Sequence, residues 1–284
     1  MDEGYLIVNA TSDNIKQVEL LVHSIKAIDP ERPITVTTFD DNVKKITSAE
    51  VLEMDSTITN KVLQYFKSLH AAPYDKTIAL LPDQLLTYFN VDVWEALRGM
   101  GPVVIPKHKY SFSGEVNWPS AYWMDGVEEK TFNHASVINA VYLNKQFGSM
   151  DVMGLAIDVC SSYDQQDYLE WLKDRSNEGG DFLLPVFPEY LWEQWVISFL
   201  RHTLGETIRT FDFVKCIDLS LQENNYWNPI WSKEHWTKFL TYWVTETGQL
   251  KIENFIQLGL VKYQHDGWLS EENLKLLKNI DGTV

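Results

Sequence analysis

The stretch Thr77–Leu86, TIALLPDQLL, decides how this chain is read. Five apolar-rich residues, Thr77 to Leu81, have the composition of a buried strand, and Pro82 ends the run. A single acid, Asp83, follows. Asp83 can be read as the cap of a helix opening at Gln84-Leu85-Leu86, because a carboxylate there would satisfy free backbone N–H groups. It can equally be a functional carboxylate at the end of a strand. The fold around it separates the two readings.

Upstream of this stretch, strands and helices alternate. Tyr5-Leu6-Ile7-Val8 is a short apolar strand closed by Asn9-Ala10-Thr11-Ser12-Asp13-Asn14, a polar turn rich in capping residues. Ile15, Val18, Leu21, Val22, Ile25 and Ile28 then recur at helical spacing. Pro30 and Pro33 break the chain before the β-branched strand Ile34–Phe39, which ends on Asp40-Asp41-Asn42. The pattern predicts a helix over about residues 60–69 before the Thr77 strand. It predicts another over 91–97 and a strand at Val103-Val104-Ile105. Such spacing predicts right-handed βαβ units and a mostly parallel sheet flanked by helices, an α/β fold. Ligands of such sheets bind outside the carboxyl ends of the strands. Here those ends carry Asn9-Ala10-Thr11, Asp40-Asp41 and Asp83. No Gly-x-Gly-x-x-Gly or Walker loop is present, so the common phosphate cradles are missing.

The remaining bounds come from size and charge. The 284 residues are 45% hydrophobic and 23% charged, as in ordinary globular proteins. With 24 basic and 40 acidic residues the formal net charge is -16, which disfavours nucleic acid and anionic membranes as partners. No apolar run approaches the roughly 20 residues of a membrane span. The N-terminus lacks the basic region of a signal peptide. Two isolated cysteines, Cys160 and Cys216, read as buried thiols of a reducing compartment. The expected location is cytoplasmic, or the host cytosol for a viral chain. The second half is helical and rich in aromatic residues. Leu191, Trp192, Trp195, Val196, Phe199 and Leu200 mark one helix with a wide apolar face, and Trp227, Trp231, Trp236 and Trp243 follow. With no long linker, one continuous domain over residues 1–284 is expected: about 1–110 for a nucleotide, about 111–284 for an acceptor.

Three stretches then carry a family resemblance. Ala71–Leu86, AAPYDKTIALLPDQLL, resembles the run in GT-A nucleotide-sugar glycosyltransferases that leads through an apolar strand to an Asp-x-Asp motif. The glycogenin-like and galactosyltransferase-like retaining enzymes are the nearest comparison. Leu21-Val22-His23-Ser24-Ile25 resembles their first helix, and Gly259–Trp268, GLVKYQHDGW, resembles their late His-x-x-Gly-x-x-x-Trp element. The resemblance implies a GT-A-like fold and transfer of a sugar from a nucleoside-diphosphate donor, most simply a UDP-sugar, to an acceptor hydroxyl on a glycan, lipid or protein. It implies nucleotide contacts by Asn9, Ala10, Thr11, Asp40, Asp41, Lys262 and Gly267. Asp83 and His265 would be the ligands of Mn2+ or Mg2+. Glu193 and Gln194 would be the residues facing the reacting sugar. The first aspartate of the pair is Leu81 here, so the metal site is degenerate. If the cation is missing, Lys107, Lys109 or Lys262 would carry its charge. Each residue also has a plain reading: Asn9, Thr11, Asp40 and Asp41 as turn formers, Glu193 as part of a solvated helix face, His265 as a loop histidine. A non-catalytic descendant of the fold is the rival whole-protein reading, and a nucleotidyltransferase-like enzyme a third.

Overall fold

A computed structural model of the protein describes residues 3–89, 92–106, 140–162, 196, 200, 201, 203–211, 213–218 and 258–262. In chain order these form β1 (Glu3–Ala10), α1 (Ile15–Ile28), β2 (Ile34–Thr38), β3 (Glu50–Glu53), α2 (Lys61–His70), β4 (Lys76–Leu80), β5 (Gln84–Phe89), α3 (Asp92–Arg98), β6 (Val103–Pro106), β7 (Ala140–Asn144), α4 (Ser149–Ser162), β8 (Ile208–Phe211), β9 (Val214–Asp218) and β10 (Leu258–Lys262). Seven strands make one sheet in the order β3-β2-β1-β4-β7-β6-β8, and β5-β10-β9 make a second. The large sheet is parallel except for β7, which runs against both β4 and β6. The fold is α/β with a mostly parallel sheet, as the alternation predicts. The reversed strand β7 is a feature the spacing does not reveal.

β1 lies inside the sheet, between β2 and β4, because its sequence is apolar on both faces. Leu6 and Val8 point into one layer with Val62, Phe66 and Leu69 of α2 and Val152, Met153 and Ala156 of α4. Tyr5 and Ile7, one residue out of phase, point into the other layer with Val18, Leu21, Val22 and Ile25 of α1 and Val93, Trp94 and Leu97 of α3. A strand buried on both faces needs a continuous apolar run rather than alternation. Val196 and Leu200, both on the expected helical stripe of the second half, are buried in the α2/α4 layer. Asn60 caps α2, its Oδ1 accepting from the backbone N–H of Val62 and of Leu63 at 3.0 Å each.

One local expectation is overturned. The residues after Asp83 open a strand, β5, not a helix, so Asp83 is no helix cap. Long-range pairing with β10 decides the conformation there, and local capping chemistry does not compete with it. β5 also rests on α1: the Leu86 N–H donates to Ser24 Oγ at 3.0 Å, and the Ser24 hydroxyl donates to the Leu21 carbonyl at 2.8 Å.

Near the start of β1, Gly4 lies under the ring of Tyr74, whose hydroxyl is 2.6 Å from Thr35 Oγ1. A Cβ on residue 4 would stand 2.5 Å from Tyr74 Cε2. Gly4→Ala should therefore lower the unfolding free energy in urea by about 1–3 kcal/mol, the usual cost of overpacking. In a Tyr74→Ala background the same substitution should cost nothing further.

Candidate functional site

Because β1, β2, β3, β4, β6 and β8 run the same way, their carboxyl ends share one edge of the large sheet, and β7 begins there. The three polar clusters seen in the sequence gather on this edge, joined by one after β3 that the sequence reading did not single out. Asn9-Ala10-Thr11 close β1, Asp40-Asp41 follow β2, Asp55-Ser56-Thr57 follow β3, and Asp83 follows β4.

The end of β1 is irregular. Ile7 pairs with Val36 and Ala10 with Thr38, so Val8 and Asn9 together face Thr37 alone. This is a β-bulge, and Asn9 takes a left-handed backbone, φ 56°. Asparagine is among the few non-glycine residues that tolerate that region. Every polar group of Asn9 is held from within. Its N–H donates to Thr37 Oγ1 (3.3 Å) and its carbonyl accepts from Asn14 Nδ2 (3.2 Å). Its Oδ1 accepts from Ser68 Oγ (3.1 Å), and its Nδ2 donates, at a long 3.5 Å, to the Lys61 carbonyl. Ala10 is buried, its carbonyl accepting from the Thr38 hydroxyl at 2.8 Å. The Thr11 N–H donates to Asn14 Oδ1 (2.7 Å), while the Asn14 N–H reaches Thr11 Oγ1 (3.3 Å). Asn14 thus ties the turn together and lends no side-chain cap to α1.

Asp40 is bound to both sides of the edge. Its Oδ2 accepts from the Ser12 N–H at 2.7 Å. Its Oδ1 accepts from the Asn42 N–H at 2.9 Å and Nδ2 at 2.8 Å. The Ser12 and Asn42 backbone donors hold its carboxyl well below the usual carboxylate range. Asp41 is exposed and accepts from the Ser56 hydroxyl at 3.1 Å. Asp55 is tied to Thr57, which lowers its pKa as well.

Leu81 is partly buried against the α2/α4 layer, so the position of the absent first aspartate belongs to packing. Its N–H donates to Oε1 of the buried Gln84 at 3.0 Å, closing the turn that carries the half-buried Asp83. β5 starts here and leaves for the second sheet. In that sheet Lys262 pairs with Gln84 on one side and Asp218 on the other. Two of the three stretches that carry the family resemblance, far apart in sequence, are therefore neighbours where β5 pairs with β10. Glu193, Gln194, His265, Gly267, Lys107 and Lys109 lie outside the described residues. Among the described residues no three His, Cys, Asp or Glu side chains are grouped to hold a metal. Of the expected ligands they contain Asp83 alone, and hard cations take several oxygens. No helix among them is long and apolar enough to cross a membrane.

Sequence reasoning missed Thr37, Ser68 and Gln84. Thr37 hides in a β-branched strand and Ser68 in a helix interior, and Gln84 looked like the first turn of a helix. Their roles depend on partners distant in sequence and leave no local pattern.

No family model matches the chain, and no curated protein matches it. Solved structures with a similar chain course include the glycosyltransferase GlyE of Streptococcus pneumoniae TIGR4. It has 11% identity and a TM-score of 0.46, with all of this chain covered and 61% of GlyE. An active-site mutant of LgtC shows 10% identity and a TM-score of 0.47. The galactosyltransferase LgtC in complex with donor and acceptor sugar analogs shows 10% identity and a TM-score of 0.48. Both LgtC matches cover 99% of this chain and 97% of the other.

The lowered carboxyl of Asp40 has a consequence for stability. A depressed folded-state pKa stabilises above the unfolded value, near 3.9, and that stability is lost as the pH falls through the folded value. Asp40→Asn should be less stable than the wild type at neutral pH. The two urea-unfolding curves should draw together from about pH 4 downward.

Proposed function

We propose that the protein is a GT-A-like glycosyltransferase that takes a nucleoside-diphosphate sugar, a UDP-sugar in the simplest case, at the carboxyl edge of the large sheet. The observation that carries this reading is the pairing of Lys262 with Gln84. It sets the late element, which leads to His265 and Gly267, beside the Leu81–Asp83 turn. The donor's diphosphate needs both elements together, because the charge that develops on it as it leaves must be met at one place. The nucleoside would lie toward Thr11, Asp40 and Asp41, and the diphosphate toward Asp83 and Lys262.

In the transfer, the bond from the anomeric carbon to the diphosphate oxygen breaks and a bond to the acceptor hydroxyl oxygen forms. The acceptor gives up its proton, and the nucleoside diphosphate leaves with the electron pair. Bound at Asp83 and His265, Mn2+ or Mg2+ would supply positive charge to the diphosphate. The amine of Lys262 would supply charge of the same sign. Glu193 and Gln194 would face the reacting sugar, and the outcome would be retention. A second reading, a non-catalytic sugar-nucleotide binder, is favoured by Leu81, whose side chain packs against the core where the motif has a metal ligand. That protein would bind nucleoside diphosphates and release none from UDP-glucose or UDP-galactose over hours.

Titration calorimetry with UDP, GDP and CDP, each with and without Mn2+, decides whether the edge is a donor site. At least one should bind. Asp83→Asn removes one charge at nearly constant size, and should weaken the Mn2+-dependent binding about tenfold, about 1.4 kcal/mol. Absence of heat with every nucleotide in both conditions would end the donor reading.

A further inference from the structure

We propose that Asn9 is a positioning residue: it locks the Ala10–Asn14 turn into shape before any ligand arrives and makes no ligand contact through its side chain. The inference deepens the donor-site reading and rests on it for the identity of the ligand. The lock itself is a property of the free protein.

The geometry is a closed ring. The Asn9 N–H donates to Thr37 Oγ1, the Thr37 hydroxyl donates to Ser68 Oγ at 2.8 Å, and the Ser68 hydroxyl donates back to Asn9 Oδ1. The Thr37 hydroxyl also has the Ile7 carbonyl within reach at 3.4 Å, but the shorter bond to Ser68 closes the ring, and both residues are fully buried. Hydrogen bonds linked in this way strengthen one another, and a break leaves a buried hydroxyl unmatched. The remaining groups of Asn9 bind Lys61 in the first turn of α2 and Asn14 at the far end of the turn. Three elements, β1, β2 and α2, thus converge on one residue.

That convergence explains why a non-glycine residue sits at φ 56°. A left-handed backbone persists at such a residue only where its surroundings over-determine it. The bulge and the positive φ set the course of the chain as it leaves the sheet. Asp40 then holds the middle of the turn through the Ser12 N–H. A ligand bond to the Asn9 side chain would have to break the ring, so ligand contacts from this turn come from residues beyond Asn9. A turn fixed in advance spares binding the entropy of ordering it.

Asn9→Gly tests the lock in the full-length chain, because glycine takes a positive φ freely and only the side-chain bonds are lost. Hydrogen exchange of the free protein should quicken about tenfold at the Thr11, Ser12 and Asn14 amides and stay unchanged at Leu6 and Ile7. Ser68→Ala should produce the same local effect, and the two substitutions together should add little beyond either one. UDP affinity should fall about fivefold in Asn9→Gly, where titration against the wild type shows binding. Unchanged exchange in the turn in both variants would overturn the proposal. So would an equal acceleration throughout β1 and β2, which would mark a plain loss of stability, and so would UDP binding undiminished in Asn9→Gly. If the wild type binds no nucleoside diphosphate, the donor reading fails and the exchange result alone decides whether Asn9 is a lock.

Discussion

The placement of β1 governs the rest of the structure. It is paired on both sides, Tyr5 with Ile34 of β2 and with Ile78 of β4, and covered by helices on both faces. A strand in that position has no face or edge left for water, so its polar residues are pushed to its two ends. At the amino end, the 8% exposed Glu3 takes Arg32 and Arg98 at 2.9 Å each, with Lys76 at 4.0 Å. Arg32 also stacks on Trp94, 5.5 Å from the ring centre. At the carboxyl end stands the Asn9 ring. An ion network and a hydrogen-bond ring thus fix the strand along its own axis, while the apolar layers fix it laterally. Such an ion network is weak evidence for net stability, but losing the cations would leave the buried Glu3 carboxylate uncompensated.

The parts of this plan that rest on periodicity were legible in the sequence. Val18, Val22 and Ile25 recur on one helical face and are buried on it, and the β-branched run at Ile34 is a fully buried strand. Asp40 reads as a turn former and is one, accepting from Asn42 two residues on. What escaped was set by tertiary contact. Gln84–Phe89 is a strand only because β10 lies beside it, and nothing between Asp83 and Phe89 announces that partner. Asn9 carries the composition of a turn, but its partners Thr37 and Ser68 are 28 and 59 residues away. The bond from Ser12 to Asp40 is equally remote from local pattern.

Asn9 and Asp40 show what a polar residue at the sheet edge can do for the protein itself. Asn9 and Asp40 direct their hydrogen-bonding atoms at the protein and serve to hold its turns. Such residues satisfy the same sequence pattern as ligand contacts, since both need short polar side chains after a strand. Only the destination of their hydrogen bonds tells them apart.

The turn after β4 shows why one acid stands where the resembling family has two. Leu80 is buried in the α1/α3 layer, and Leu81, one residue out of phase, packs against the α2/α4 layer. A carboxylate at position 81 would place an unpaired charge against apolar side chains, at a cost of several kcal/mol. Asp83 lies beyond Pro82, outside both layers, with Lys262 one strand away in register with Gln84. The core thus requires an apolar residue at 81, and a polar side chain becomes possible only past Pro82, where the chain has left β4.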